Sequence, residues 1–300
     1  MVAKLVLPKD AAVVGLEDRL ARIDTAELSD DWYRRAVTVL RGGDGGEHGK
    51  LLYKLALAVL PAQPNAITLD VGTARGFSAL VMARAMQDAK VIGTVYTVDT
   101  VGHSESVNWH IEKHSQDDPL VGLSISRREI WDRWYRDGSS AVVVAKGRSV
   151  ELLSSWKHGP IGVAFLDGSH SYEDVRQELA LLDGLMVETG VILLDDYHLG
   201  EVVGRIRSRA LNLLAWLIGQ ATGWVSKRLW AFAPKLGQAT EYRLVKQRFC
   251  GVKRAVDEFM ESGDGCWSME AVAMPRRGTY QGEDYCTVIL SRGRIKGGAN

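Results

Sequence analysis

Six side chains stand out for the chemistry they could perform: Asp70, Asp99, Asp167, His170, Asp195 and Asp196. Asp70 lies two residues ahead of a Gly-x-x-x-Gly turn made by Gly72 and Gly76, in the run Ala-Ile-Thr-Leu-Asp-Val-Gly-Thr-Ala-Arg-Gly-Phe-Ser over 66–78. Glycines there let backbone come close to a ligand, and the helix that follows offers its N-terminal amides. A dinucleotide site would need Gly-x-Gly-x-x-Gly with a diphosphate over that helix. An acid aimed at the loop suits a ligand with a cationic or amine end. Further on, Asp167 opens Asp-Gly-Ser-His, with His170 three residues later, and Asp195-Asp196 is an adjacent acidic pair. Carboxylates are hard donors suited to magnesium or manganese, whereas zinc would prefer His or Cys. A histidine with an ordinary pKa of about 6.5 is a candidate general base.

The elements that must position these groups are legible in the hydrophobic pattern. Nearly continuous apolar runs at 67–71, 91–98, 141–145, 161–166 and 191–194 alternate with helical patterns, predicting a parallel sheet covered on both faces. A helix near 252–259 and two more strands at 268–273 and 285–291 complete a seven-stranded plan. All five acids then fall at or next to C-terminal strand ends, where open α/β sheets collect ligands. Residues 1–46 read as a helical addition, with Ser29 as N-cap and Gly42-Gly43 as the stop. A second helix runs from about 47 to 60. The plan is that addition followed by one domain over 47–300, with insertions at about 102–140 and 201–249.

Composition narrows the class of protein. The 300 residues carry 37 basic and 37 acidic side chains, so no global charge points to nucleic acid. Three cysteines without a Cys-x-x-Cys pair argue against a disulfide framework. With neither a signal peptide nor a spanning apolar run, a cytoplasmic protein is expected. Residues 203–248 hold nine Lys/Arg against one acid, Glu241, with Trp216, Trp224 and Trp230 among them. That pattern suits a membrane surface or an acidic partner, although a solvated lid or an oligomer contact is the simpler account. Trp109, Trp131 and Trp134, in the earlier insertion, read as a lid over the sheet's C-terminal end.

The order of motifs resembles class I S-adenosylmethionine-dependent methyltransferases, and within them the metal-dependent O-methyltransferases of macrolide sugars and related natural products. Four stretches carry the likeness: Leu-Asp-Val-Gly-Thr-Ala-Arg-Gly (69–76), Tyr-Thr-Val-Asp-Thr (96–100), Ala-Phe-Leu-Asp-Gly-Ser-His-Ser-Tyr-Glu-Asp-Val (164–175) and Ile-Leu-Leu-Asp-Asp-Tyr-His (192–198). The resemblance implies a doubly wound, Rossmann-like seven-stranded sheet with an antiparallel last strand. It implies donor contacts at Asp70, Gly72, Thr73, Gly76, Phe77 and Ser78, ribose hydroxyls at Asp99, and adenine near Ser149. The family often has an acid just before that serine; this chain has Arg148. It further implies magnesium or manganese on Asp167, Asp195 and Asp196, with His170 taking a proton from a small hydroxylated acceptor. His198 reads as structural, and Glu47-His48-Gly49 as a helix start. Two alternatives stay open: a metal-independent N- or O-methyltransferase, and a cofactor-binding scaffold without turnover.

Overall fold

Ala66–Val71 and Ile161–Leu166 are buried at every position, as strands covered on both faces must be. The strands are β1 (Ala12–Gly15), β2 (Ala66–Val71), β3 (Gly93–Asp99), β4 (Ser106–Asn108), β5 (Ser124–Ser126), β6 (Val142–Lys146), β7 (Ile161–Leu166), β8 (Met186–His198), β9 (Trp267–Ala273) and β10 (Tyr285–Arg292). The helices are α1 (Leu16–Ala21), α2 (Asp30–Leu40), α3 (Glu47–Val59), α4 (Phe77–Asp88), α5 (Arg127–Trp134), α6 (Arg136–Ser139), α7 (Ser149–Ser154), α8 (Tyr172–Leu185) and α9 (Val252–Ser262). The structure, a computed structural model, describes residues 12–23, 25–42, 46–63, 65–109, 119–120, 122–198, 252–262, 266–274 and 285–293. The 201–249 insertion, residues 1–11, Cys250, the 296–300 tail and the side chain of His198 lie outside that description. Among the described residues, Cys266 and Cys286 are not joined in a disulfide. No helix among the described residues is long and apolar enough to cross a membrane.

The main sheet runs β1-β9-β10-β8-β7-β2-β3-β6. β10 is antiparallel to both β8 and β9, while the pairs among β6, β3, β2, β7 and β8 are parallel. Seven of these strands are the expected plan, antiparallel strand included. The eighth departs from it: β1 pairs in parallel with the edge strand β9, so the N-terminal addition is not wholly helical. An edge strand offers an unpaired row of N–H and C=O groups, and β1 covers it. Ser29 does precede α2 but makes no side-chain cap. β8 is also longer than its apolar run, because it starts directly from the end of α8.

Alternation along the strands splits the core into two layers. Val163, Phe165 and Leu193 face a cluster with Leu51, Leu80 and Val95, under α3 and α4. Ala164, Leu166, Ile192 and Leu194 face the other cluster, with Leu179 and Val256 of α8 and α9. The insertion at 102–140 holds the β4–β5 hairpin and α5. A capping box between Ser126 and Glu129 starts that helix.

Candidate active site

Asp70 ends up sealed beneath the glycine turn. It is fully buried and accepts hydrogen bonds from Ser78 Oγ and Thr97 Oγ1, each at 2.5 Å. The Thr97 and Thr73 hydroxyls meet at 2.6 Å, which continues the chain into the turn. Burial raises the Asp70 pKa to about 6, against the pull of its two hydroxyl donors. Its part is therefore to order the loop. Phe77 and Ser78 also turn their side chains inward, Phe77 against Tyr33 and His48. Contact with a ligand at those two positions falls to backbone.

The two glycines have separate reasons. Gly72 has φ +93°, and a Cβ there would lie 2.2 Å from the Asp167 carbonyl oxygen. Gly76 has φ +96°, and its Cβ would strike the Trp131 indole at 2.3 Å. Gly72 thus lets β2 and β7 end side by side, and Gly76 lets the insertion close on the turn. Trp131 Nε1 donates to the Arg75 carbonyl at 2.8 Å. The buried Arg75 side chain reaches Val39 O at 3.1 Å in α2 and Trp109 O at 2.6 Å in the insertion. Trp131 consequently clamps the turn instead of lining an open lid.

Asp99, at the end of β3, is already engaged. Its carboxylate accepts from Ala74 N at 2.7 Å, Val101 N at 2.9 Å and Arg127 Nη2 at 2.9 Å. Roughly four acceptor positions exist on a carboxylate, so most are in use before any diol arrives. Arg127 is fully buried and also donates to Ala74 O at 2.5 Å. Ser149, next along the sheet edge, donates to the buried Glu178, and Arg148 pairs with Asp174 at 2.7 Å. Burial pushes Glu178 up to about 7.

On the other side of β2 the remaining acids converge. Asp167 follows β7, its N–H bonded to Val71 O at 2.9 Å. His170 stands 4.0 Å from Asp167 and 3.6 Å from Asp196, immediately before α8, whose N-cap Ser171 accepts Asp174 N at 3.2 Å. Neighbouring strand residues ordinarily point to opposite faces. At Asp195-Asp196 the β8–β10 register slips, from Leu194 opposite Val288 to Tyr197 opposite Cys286, so Thr287 alone faces both acids. That bulge and the left-handed Asp196 backbone (φ +58°) re-aim the pair. Asp195 accepts from Thr287 Oγ1 at 3.0 Å and lies 4.0 Å from His48 Nδ1. Arg41 at the end of α2 lies 4.0 Å from Asp167. Withdrawal from water, then the Asp195 charge, hold the Asp167 carboxyl well above the ordinary range, with Arg41 pulling it down.

Mutual repulsion among hard oxygen donors is what a divalent cation relieves, so the donor set fits magnesium or manganese. Among the described residues no three such side chains already stand at coordinating spacing. Arg41, Arg75, Arg127 and the contact between His48 and Asp195 were not visible in the sequence as site features. Only the start of α5, through its Ser126-Arg-Arg-Glu129 capping pattern, had a local signal.

Residues 69–197 match a family model described as a methyltransferase domain. No curated protein matches the chain. Among solved structures, the O-methyltransferase NovP is 15% identical with a TM-score of 0.50, over 93% of this chain and 98% of that one. The O-methyltransferase TomG from Streptomyces achromogenes, in complex with SAM, is 15% identical at 0.47, over 92% and 96%. At such identities the likeness is one of fold. The matched span, less than half of the chain, contains the glycine turn, Asp99 and the whole acidic cluster; over those residues the chain is similar to a methyltransferase domain, and it shares the fold of the O-methyltransferase NovP.

Proposed function

We propose that this domain transfers a methyl group from S-adenosylmethionine to a hydroxyl of a small acceptor, with divalent-metal assistance. The observation that carries this reading is the convergence of Asp167, Asp195, Asp196 and His170 beside the glycine turn, at the C-terminal ends of β7 and β8. Methyl transfer is an in-line displacement: the acceptor oxygen forms a bond to carbon as the carbon–sulfur bond breaks, and S-adenosylhomocysteine leaves. The donor brings its own leaving group, so the protein must align the partners and remove one proton. His170, about 30% exposed, is accessible to an acceptor hydroxyl and takes that proton. Asp196, 3.6 Å away, orients the imidazole. Asp167, Asp195 and Asp196 would hold the cation, which when bound lowers the pKa of a hydroxyl and fixes its oxygen. Asp70, Thr73 and Thr97 keep the turn rigid, so the donor meets a preformed backbone.

Asp167→Asn is expected to lower turnover at least 100-fold with S-adenosylhomocysteine affinity nearly unchanged. Chelator should abolish wild-type methyl transfer to a panel of sugars, phenols and aliphatic alcohols, and magnesium should restore it. Full turnover in chelator would remove the metal from the mechanism; donor binding with no transfer to any acceptor would favour a scaffold.

A further inference from the structure

The donor carries a carboxylate, and the cleft that must take its amino-acid end is dominated by acids. A carboxylate brought beside Asp167, Asp195 and Asp196 is repelled unless a fixed cation meets it. Arg41 is the permanent positive charge that faces Asp167. At 4.0 Å that contact is too long for a hydrogen bond, and the side chain is 31% exposed, so its donor fork is open to a second partner. Its place is fixed independently of Asp167. The guanidinium lies 5.8 Å from the centre of the Phe77 ring, and Phe77 opens α4 directly after the glycine turn. Arg41 N donates to Val37 O at 3.0 Å, closing α2, and Gly42 follows in the left-handed conformation that ends helices. The cation is thus held between the turn and Asp167, where the donor's methionine end must lie if its methyl group is to reach the acids and His170. Asp70 cannot contact the donor's charged end, because it is buried and committed to Ser78 and Thr97.

We propose that Arg41, from the N-terminal addition, is the receptor for the methyl donor's α-carboxylate. This rests on the donor reading above. Guanidinium matches carboxylate in a two-pronged geometry that lysine cannot reproduce. On this reading the N-terminal addition completes the donor site.

The test compares two probes by calorimetry in chelator: S-adenosylhomocysteine, and its decarboxylated analogue, which keeps the adenosine, sulfur and amine. The wild-type protein should prefer S-adenosylhomocysteine, and Arg41→Gln should erase that preference by weakening it roughly 10- to 100-fold. Binding of the decarboxylated probe should stay unchanged, which also reports that the variant is folded. Arg41→Lys should recover part of the loss. Equal weakening of both probes, or of neither, overturns the role of Arg41. No binding of S-adenosylhomocysteine by the wild-type protein overturns the donor reading itself, and this inference with it.

Discussion

Gly72 and Gly76 look alike in sequence and differ in what stops them from being anything else. Both hold positive φ, which costs a residue with a Cβ roughly 1–2 kcal/mol. The obstacle at Gly72 is the Asp167 backbone, which has no rotamer to yield. At Gly76 it is the Trp131 ring, a side chain that can be cut away. Both alanine substitutions should destabilise by about 3 kcal/mol, with strain and overpacking combined. In a double-mutant cycle with Trp131→Ala, however, only Gly76→Ala should show coupling, of about 1 kcal/mol or more, measured by urea unfolding. Equal coupling at both positions would mean the indole does not set the constraint. The sequence shows a glycine turn because spacing is local. It cannot show what presses on each glycine, because Trp131 is 55 positions from one and Asp167 is 95 from the other. The same limit hid Arg127, whose partner Asp99 lies across the sheet edge.

Among the elements, β8 shows where pattern reading stops. The apolar run at 191–194 marks the strand, since Val191 through Leu194 are buried on both faces. A period of two would aim Asp195 and Asp196 apart, so the adjacent pair could not be read as convergent from spacing alone. The register slip opposite Thr287 is a property of the β8–β10 pair. No single strand carries that information. Residue type and strand-end position mark the acids in the sequence; the convergence of the adjacent pair was implied there only by resemblance. If Asp196 is held at φ +58° for the sake of its carboxylate, the carboxylate is dispensable for folding. Asp196→Gly then relieves a strained backbone while adding unfolded-state entropy, two effects of about 1 kcal/mol and opposite sign. Its stability should stay within about 1 kcal/mol of the parent while turnover falls at least 100-fold. A loss above about 2 kcal/mol would assign the carboxylate to structure.

For the whole molecule, the additions and the central sheet meet at the glycine turn, where Arg75 links α2 to the insertion. The core contains carboxyls that resist ionising, and this makes global stability depend on pH. Burial raises Asp70 to about 6 and Glu178 to about 7. Between the ordinary carboxylate value and the raised one, the native state holds a proton the unfolded chain has lost. Stability must therefore fall as pH rises through that window, 4.5 to about 7 for Glu178. Asp174 has the opposite sign: the Ser169 hydroxyl, then burial working against it, leave its carboxyl below the ordinary aspartate value of 3.8, so its contribution fades only in acid below that point. The protein should accordingly be most stable on the acid side of neutrality. Glu178→Gln isolates one of these contributions, because the amide stays neutral and its oxygen can still accept the Ser149 hydroxyl. From pH 5 to pH 8 the wild-type protein should lose about 2–3 kcal/mol more than this variant, since each tenfold change in proton affinity is worth roughly 1.4 kcal/mol. Urea titrations of the two proteins at both pH values measure that difference, and parallel profiles would mean that Glu178 ionises in the fold as readily as in the open chain.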